Sequence, residues 1–239
     1  MKDNRSYYDD FAGWYERERH AGYHALIDQL QLEIALPLAE GRDALEVGCG
    51  TGLILKELDR VASRAVGIDL SPGMLQQAAA RDLEVLVASA TALPFADASF
   101  DFACSFKVLA HIEAIELALS EIGRVLRPGG VAALEFYNRR SLRALLKRLK
   151  RPHAVSDETH DEEVYTRYVS PREVEGLLPP TLRLKEFRGI RVFTPFAQLH
   201  KLPLVGSALG SAERWARDFP PTAHFGGFLV AIVERVPSP

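Results

Sequence analysis

Between residues 44 and 136, short apolar runs alternate with stretches whose apolar residues recur at helical spacing. Residues 44–47 read as a short buried strand, 53–58 as a helix entered through a glycine turn, and 65–70 as a second strand. Ser71 caps the next helix, and Pro72 fits its first position, where a missing N–H costs nothing. Residues 83–87 and 100–106 read as the third and fourth strands. A helix over 112–126 runs into Arg127-Pro128-Gly129-Gly130, a strong stop, and 131–136 is the fifth strand. Strands separated by helices imply a parallel sheet with right-handed crossovers, an α/β fold.

The flanks are less regular. Tyr7, Tyr8, Phe11, Trp14 and Tyr15 recur at helix-like spacing, Leu26, Leu30 and Ile34 continue it, and Pro37 and Gly41 close the region. After the fifth strand, 139–151 reads as a basic amphipathic helix with Leu142, Leu145, Leu146 and Leu149 on one face. An acidic patch follows at Asp157, Glu158, Asp161, Glu162 and Glu163. Ser170 and Pro171 open a capped helix to about residue 178, and 182–192 and 225–236 read as two late strands. Between them lies a long insertion with Phe196, Leu199, Leu202, Leu204 and Trp215.

At 239 residues the chain buries roughly 70–75% of its unfolded surface, enough to fold as one domain without disulfide or metal. The net charge of -3 argues against a general nucleic-acid binder. The first ten residues lack an apolar signal core, and no apolar run is long enough to cross a bilayer. With Cys49 and Cys104 read as free thiols, a cytoplasmic location is expected. The histidines show no metal-ligand spacing, so no metal is expected.

The densest chemistry lies in Leu45-Glu46-Val47-Gly48-Cys49-Gly50-Thr51-Gly52, with Asp69 at the tip of the second strand. Glycines at 48, 50 and 52 allow backbone angles that side chains resist and let a ligand approach the main chain. An acid at the end of the second strand can accept both hydroxyl hydrogens of a ribose. A dinucleotide fingerprint requires a third glycine where Leu53 stands. Instead an acid, Glu46, precedes the first glycine; it suits a ligand ammonium group, which NAD lacks and S-adenosylmethionine carries.

Glu46 to Gly52, Asp69, Leu93-Pro94-Phe95 with Ser99-Phe100-Asp101, and Arg124 to Gly130 together resemble a class I S-adenosylmethionine-dependent methyltransferase of the small-molecule, type 11-like group. The resemblance spans about residues 7–136. It implies a Rossmann-like, doubly wound, mostly parallel seven-stranded sheet with an antiparallel last strand. The single domain then divides into an N-terminal helical cap (1–42), a cofactor-binding core (43–137), an acceptor-side lid with insertions (138–224) and the last strand (225–236). By the same resemblance Gly48, Cys49, Gly50 and Gly52 line the methionine part of S-adenosylmethionine, and Glu46 helps hold its amino group. Asp69 binds the ribose, Leu70 and Met74 pack on adenine, with a plain core role left open for Met74, and Phe106 and Lys107 offer backbone contacts. Tyr15 approaches the methionine carboxylate from a segment that folds over the cofactor; a role as glue between helix and sheet stays open.

Adenine recognition departs from the family pattern, which has an acid where this chain has Ser89. Ser89, Ala90 and Thr91 can contact the ring, without the carboxylate's charge-assisted bond to the adenine amino group. His111, after the fourth strand, is the candidate general base; capping or packing the next helix is the competing role. His160, His200 and His224 read as surface or structural residues.

The implied activity is methyl transfer to a small organic acceptor, O-methylation favoured, leaving S-adenosylhomocysteine. The basic helix at 139–151 leaves three uses open: a solvated packed helix, a site for an acidic acceptor group, or a peripheral membrane contact. The apolar stretch at 196–209 suits a greasy acceptor or a dimer contact, so monomer and homodimer both stay open. The competing functions are a catalytically silent interaction protein on the same fold, a methyltransferase acting on a macromolecule, and an NAD-dependent oxidoreductase.

Overall fold

The computed structural model describes residues 22–141, 144, 165–194 and 203–237. In chain order these form α1 (Gly22–Ala39), β1 (Asp43–Val47), α2 (Leu53–Asp59), β2 (Arg64–Asp69), α3 (Pro72–Ala79), β3 (Glu84–Val87) and β4 (Phe100–Ser105). A 3-10 turn (Leu109–His111), α4 (Ile115–Val125), β5 (Leu126–Asn138), β6 (Tyr168–Val169) and α5 (Pro171–Leu177) follow. The chain continues through β7 (Leu182–Ile190), α6 (Pro203–Asp218), α7 (Pro220–Ala223) and β8 (Phe228–Arg235). The aromatic run with Tyr15, most of the basic segment, the acidic patch, residues 196–202, His160 and His200 lie outside the described residues.

Among the described residues the sheet has eight strands in the order β3-β2-β1-β4-β5-β8-β7, with β6 beside β5. β8 runs antiparallel to β5 and β7, as the expected last strand should. The strand beyond the expected seven is β6, two residues that pair parallel with Tyr137 and Asn138. It continues the edge of β5 past Leu134, where β4 stops. The order reverses between β1 and β4, so a crevice opens at the carboxyl ends of those strands, where open α/β sheets bind ligands.

Alternation along the strands splits the core between the two faces of the sheet. Ala103, Leu134, Phe136 and Leu229 face α4 and α5, together with Ile115, Leu119, Ile122 and Val174. Phe102, Cys104, Ala133 and Val230 face α1 and α2, together with Ile27, Leu30, Leu55 and Leu58. At the amino ends of the strands, the Arg127 guanidinium bonds Asp43 at 2.9 Å and Asp101 at 2.7 Å. The Arg-Pro-Gly-Gly stop therefore also staples β1, β4 and β5 together.

Several sequence-based boundaries move. β5 begins at Leu126, ahead of the expected 131, because Leu126 already pairs with Phe100 before the register shift at Phe102, and α1 runs through Pro37 to Ala39. The helix expected from residue 112 begins at Ile115, because Leu109–His111 forms a separate tight turn and Ile112 is extended (φ -103°, ψ 117°). The insertion before the last strand contains the regular helix α6. Its buried positions are Gly210, Glu213 and Ala216, while Trp215 is exposed, so hydrophobic spacing did not announce it. Glu213 accepts from Val192 N, Phe193 N and Thr194 Oγ1 at 2.7–3.0 Å and so holds the segment after β7.

Candidate active site

Gly48, Gly50 and Gly52 all have left-handed backbone (φ 79°, 54° and 82°). The turn is pinned to β2 by Gly48 N and Cys49 N, which both donate to Ile68 O at 2.7 and 2.9 Å. The three glycines meet different surroundings. A Cβ on Gly48 would lie 2.2 Å from Val108 Cγ2, and one on Gly52 would lie 2.6 Å from Leu83 Cδ1. A Cβ on Gly50 would meet nothing within 4 Å. Gly48 and Gly52 let protein pack on the turn, whereas Gly50 keeps open the face turned toward the crevice.

Asp69 closes the rim. Its Oδ2 accepts from Gly50 N and its Oδ1 from Ser71 N, each at 2.9 Å. Each carboxylate oxygen has two lone pairs, so it can accept more than one hydrogen bond. Next to it Leu70 is 41% exposed, and Val87, opposite Asp69 in the β2–β3 register, is 55% exposed. Together they form an apolar shelf at the end of the sheet. Ser89 and Thr91 share a 2.7 Å hydroxyl contact, and Thr91 N donates to Ser89 Oγ. Met74 does not join the shelf: it is 2% exposed, sits in the first turn of α3, and its N–H donates to Ser71 Oγ.

Between this turn and α1 lies an open cleft of about 350 Å³ lined by Asp28, Gln31, Glu46, Gly48, Cys49, Gly50, Thr51, Leu53, Ile54, Phe106 and Lys107. Among the described residues, three buried side-chain polar atoms lack a hydrogen-bond partner: Gln31 Oε1, Glu46 Oε2 and Thr51 Oγ1. All three belong to residues of this cleft. An unsatisfied buried polar group costs about 1–3 kcal/mol, so three on one cleft mark a polar ligand's place. Burial, then the neighbouring Asp69 charge, hold the Glu46 carboxyl well above the usual carboxylate range, against the N–H of Leu55, which favours the ionised form. Lys107 and Asp28 face each other at 2.6 Å on the cleft wall. Behind them Glu135, 1% exposed, accepts from Lys107 N (3.1 Å) and Gln31 Nε2 (2.5 Å), and burial pushes its carboxyl up to about 7. Burial also raises the thiols of Cys49 and Cys104, which leaves both protonated and inert.

His111 stands apart from the cleft lining, on the turn that follows Lys107 and Val108. Its Nδ1 lies 2.9 Å from Tyr165 O, and a carbonyl only accepts, so Nδ1 carries the proton and Nε2 is the basic nitrogen. Burial lowers its pKa, with the Tyr165 carbonyl opposing. Tyr137 packs edge-on against the imidazole at 5.5 Å and is itself flanked by Tyr168 and Phe228. His224 is elsewhere, bonded to Pro220 O and packed on Phe187.

A family model described as a methyltransferase domain matches residues 45–134. An uncharacterised protein of Methanocaldococcus jannaschii is 31% identical over 193 residues, 73% of each chain. The chain belongs to the class I S-adenosylmethionine-dependent methyltransferases. A demethylmenaquinone methyltransferase of Mycolicibacterium paratuberculosis is 38% identical over 96 residues, 40% of this chain and 42% of its own length. The chain thus spans less than half of that curated relative. The fold is shared with a putative methyltransferase of Haloferax volcanii solved with the activator Trm112 (TM-score 0.69, 22% identity, 99% of each chain). It is shared also with the N-methyltransferase NodS of Bradyrhizobium japonicum, solved with S-adenosylhomocysteine (TM-score 0.63, 15% identity, 98% of this chain and 99% of that one).

On this methyltransferase fold Glu46, Gly48, Cys49, Gly50, Phe106 and Lys107 come together around one cleft; Asp69 is tied to it through the N–H of Gly50, and neither Asp69 nor Leu70 is part of the lining. Gly52 lies behind the turn against Ala78 and Leu83. Tyr15 lies outside the described residues. Sequence reasoning missed Asp28, Gln31, Thr51, Val87 and Glu135. Two of these left a signal: Gln31 interrupts the buried stripe Ile27, Leu30, Ile34 of α1, and Glu135 interrupts the apolar run of β5. A polar residue inside a buried stripe needs a partner, and these two are each other's.

Proposed function

We propose that this chain transfers the methyl group of S-adenosylmethionine to a small organic acceptor, preferentially to oxygen, with His111 as general base. The observation that carries the reading is the clustering of three residues with unpartnered buried polar atoms around a cleft lined by Gly50, whose N–H donates to Asp69. When bound, S-adenosylmethionine supplies an electrophilic methyl group on a positively charged sulfur. The protein's part is to bind, orient and exclude water, and orientation alone contributes up to roughly 7–11 kcal/mol.

Glu46, an acceptor when ionised, suits the ammonium of an amino-acid tail, while the Thr51 hydroxyl and Lys107 suit its carboxylate. The acceptor oxygens of Asp69 suit ribose hydroxyls, and Leu70 and Val87 offer a flat apolar surface to adenine. Ser89, Ala90 and Thr91 lie on the loop that follows β3, where the ring's polar edge would be met. Tyr15 is assigned to the carboxylate end by resemblance alone. On the acceptor side, the Nδ1 proton leaves Nε2 of His111 to take a proton from an acceptor hydroxyl, a task a nitrogen acceptor presents less often.

The test is calorimetric titration with S-adenosylhomocysteine, followed by turnover with a panel of small hydroxyl and amine acceptors. Binding in the micromolar range, abolished by Asp69→Ala, supports the cofactor assignment. A chain that does not bind S-adenosylhomocysteine would instead be the silent interaction protein.

A further inference from the structure

Resting on the reading of the cleft as the S-adenosylmethionine site, we propose that Gln31 on α1 binds the ammonium of the cofactor's amino-acid tail beside Glu46, and that Glu135 is the positioning residue that aims it. Gln31 lies before the stretch matched by the methyltransferase family model, on an element otherwise occupied with covering the sheet. Its side chain is fully buried, lines the cleft, and keeps an oxygen with no partner. The Glu46 oxygen without a partner belongs to the same cleft. A carboxamide oxygen only accepts hydrogen bonds, and so does Glu46 once ionised, the form that a neighbouring ligand cation favours. Two acceptors lining one cleft, one from α1 and one from β1, call for a ligand group with several donors on one atom. A primary ammonium, with three N–H bonds, meets that need; a ribose hydroxyl, with one, does not.

The amide is held in this orientation. Gln31 Nε2 donates to Glu135 Oε2, which leaves Oε1 as the remaining valence. Glu135 is itself anchored through Oε1 by the N–H of Lys107, a residue held at φ 62°. Left-handed backbone at a side-chain-bearing residue persists only where its surroundings enforce it. One carboxylate from β5 thereby sets two residues of the cleft, Gln31 on α1 and Lys107 after β4. Glu135 does not line the cleft and bonds to Gln31 and Lys107, which do, so its role is indirect.

The test compares two ligands on the full chain: S-adenosylhomocysteine, and 5′-methylthioadenosine, which keeps the nucleoside and thioether but lacks the amino-acid tail. Gln31→Met keeps the side chain's length without its polar atoms. It should weaken S-adenosylhomocysteine roughly tenfold or more, as expected for a hydrogen bond to a charged group, and leave methylthioadenosine unchanged. Glu135→Leu should reproduce that selective loss, Glu135→Gln should restore most of the affinity, and Gln31→Met combined with Glu135→Leu should be no worse than the poorer single variant. Equal weakening of both ligands, or no change in either, overturns the proposal. If Glu135→Leu does not fold, as judged by circular dichroism, the Gln31→Met comparison decides alone. Failure of the unmodified protein to bind either ligand removes the cofactor reading itself, and the proposal with it.

Discussion

At the rim made by β1 and β2, the polar contacts join residues close along the chain: Asp69 accepts from Ser71 N two residues on and from Gly50 N nineteen residues back. On the opposite wall the partners are remote. Gln31 and Glu135 are 104 residues apart and Lys107 and Asp28 79; beyond the cleft lining, His111 and Tyr165 are 54 apart. The first region is a backbone device, in which glycine angles and a strand-tip acid shape the site wherever the local motif occurs. The second is an assembly of side chains from α1, β5 and the segment before β6, and it exists only once the sheet has brought them together. Motif reasoning therefore reached the glycine turn, the strand-tip acid and His111, and missed the partners that only the fold brings to them, Asp28, Gln31 and Glu135.

The largest expected effect tests the remote wall at its reacting end. His111→Ala should lower turnover by about 10²–10⁴-fold while S-adenosylhomocysteine affinity stays within twofold. Because burial lowers the His111 pKa, the basic form already dominates at neutral pH. The turnover profile of the unmodified enzyme should rise with a midpoint below 6.5, and that limb should vanish in the variant. Retained turnover would reduce His111 to packing and leave the acceptor end without an assigned base.

The backbone device is tested by treating two of its glycines separately. Gly48→Ala places a methyl 2.2 Å from the stiff Val108 side chain in left-handed backbone. It should cost about 2–5 kcal/mol in urea unfolding, the sum of overpacking and backbone strain. Gly50→Ala meets no protein atom and should cost only about 1–2 kcal/mol, for the backbone alone. Its methyl should instead cut S-adenosylhomocysteine affinity at least about tenfold, the change worth ~1.4 kcal/mol. If both variants behaved alike, the division between packing glycine and ligand-facing glycine would fail.

Glu135 should leave a pH signature in the ligand-free protein. Its carboxyl is raised from 4.5 to about 7, chiefly by burial. Between those values the folded chain binds more protons than the unfolded one, so its contribution to stability is full below 4.5 and is lost as pH climbs through 7. The loss amounts to at most about 3.5 kcal/mol, from about 1.4 kcal/mol per unit. Glu135→Gln should flatten that slope in denaturant titrations from pH 4.5 to 8. An unchanged slope would place the neutralising group elsewhere on the wall. The smallest effect returns to the shelf. Ser89→Asp should tighten S-adenosylhomocysteine a few-fold by restoring a charge-assisted bond to the adenine amino group, and a large loss would remove Ser89 from the adenine contact.

Much of the fold was legible before any coordinates. Five parallel strands, the Ser71 and Ser170 helix caps and the glycine turn are local: propensity, capping and backbone angle act within a few residues. Helix α6 escaped because its buried face carries Gly210, Glu213 and Ala216, a stripe made by hydrogen bonds and close approach instead of apolar bulk. β6 escaped because two residues carry no period. Met74 kept two roles open because position alone does not tell whether a side chain after a cap turns toward ligand or core; here it turns inward.

By itself the chain's order of residues determined the parallel sheet, the three left-handed glycines and the acid at the tip of β2, because each of these depends on neighbours in sequence. Only the tertiary structure decided that Gln31, Glu135 and Lys107 meet behind the cleft, and that His111 presents Nε2 as its basic nitrogen. Those outcomes depend on which distant groups share a buried space of low dielectric, where an unpaired polar atom is costly and each partner sets the orientation and charge of the next.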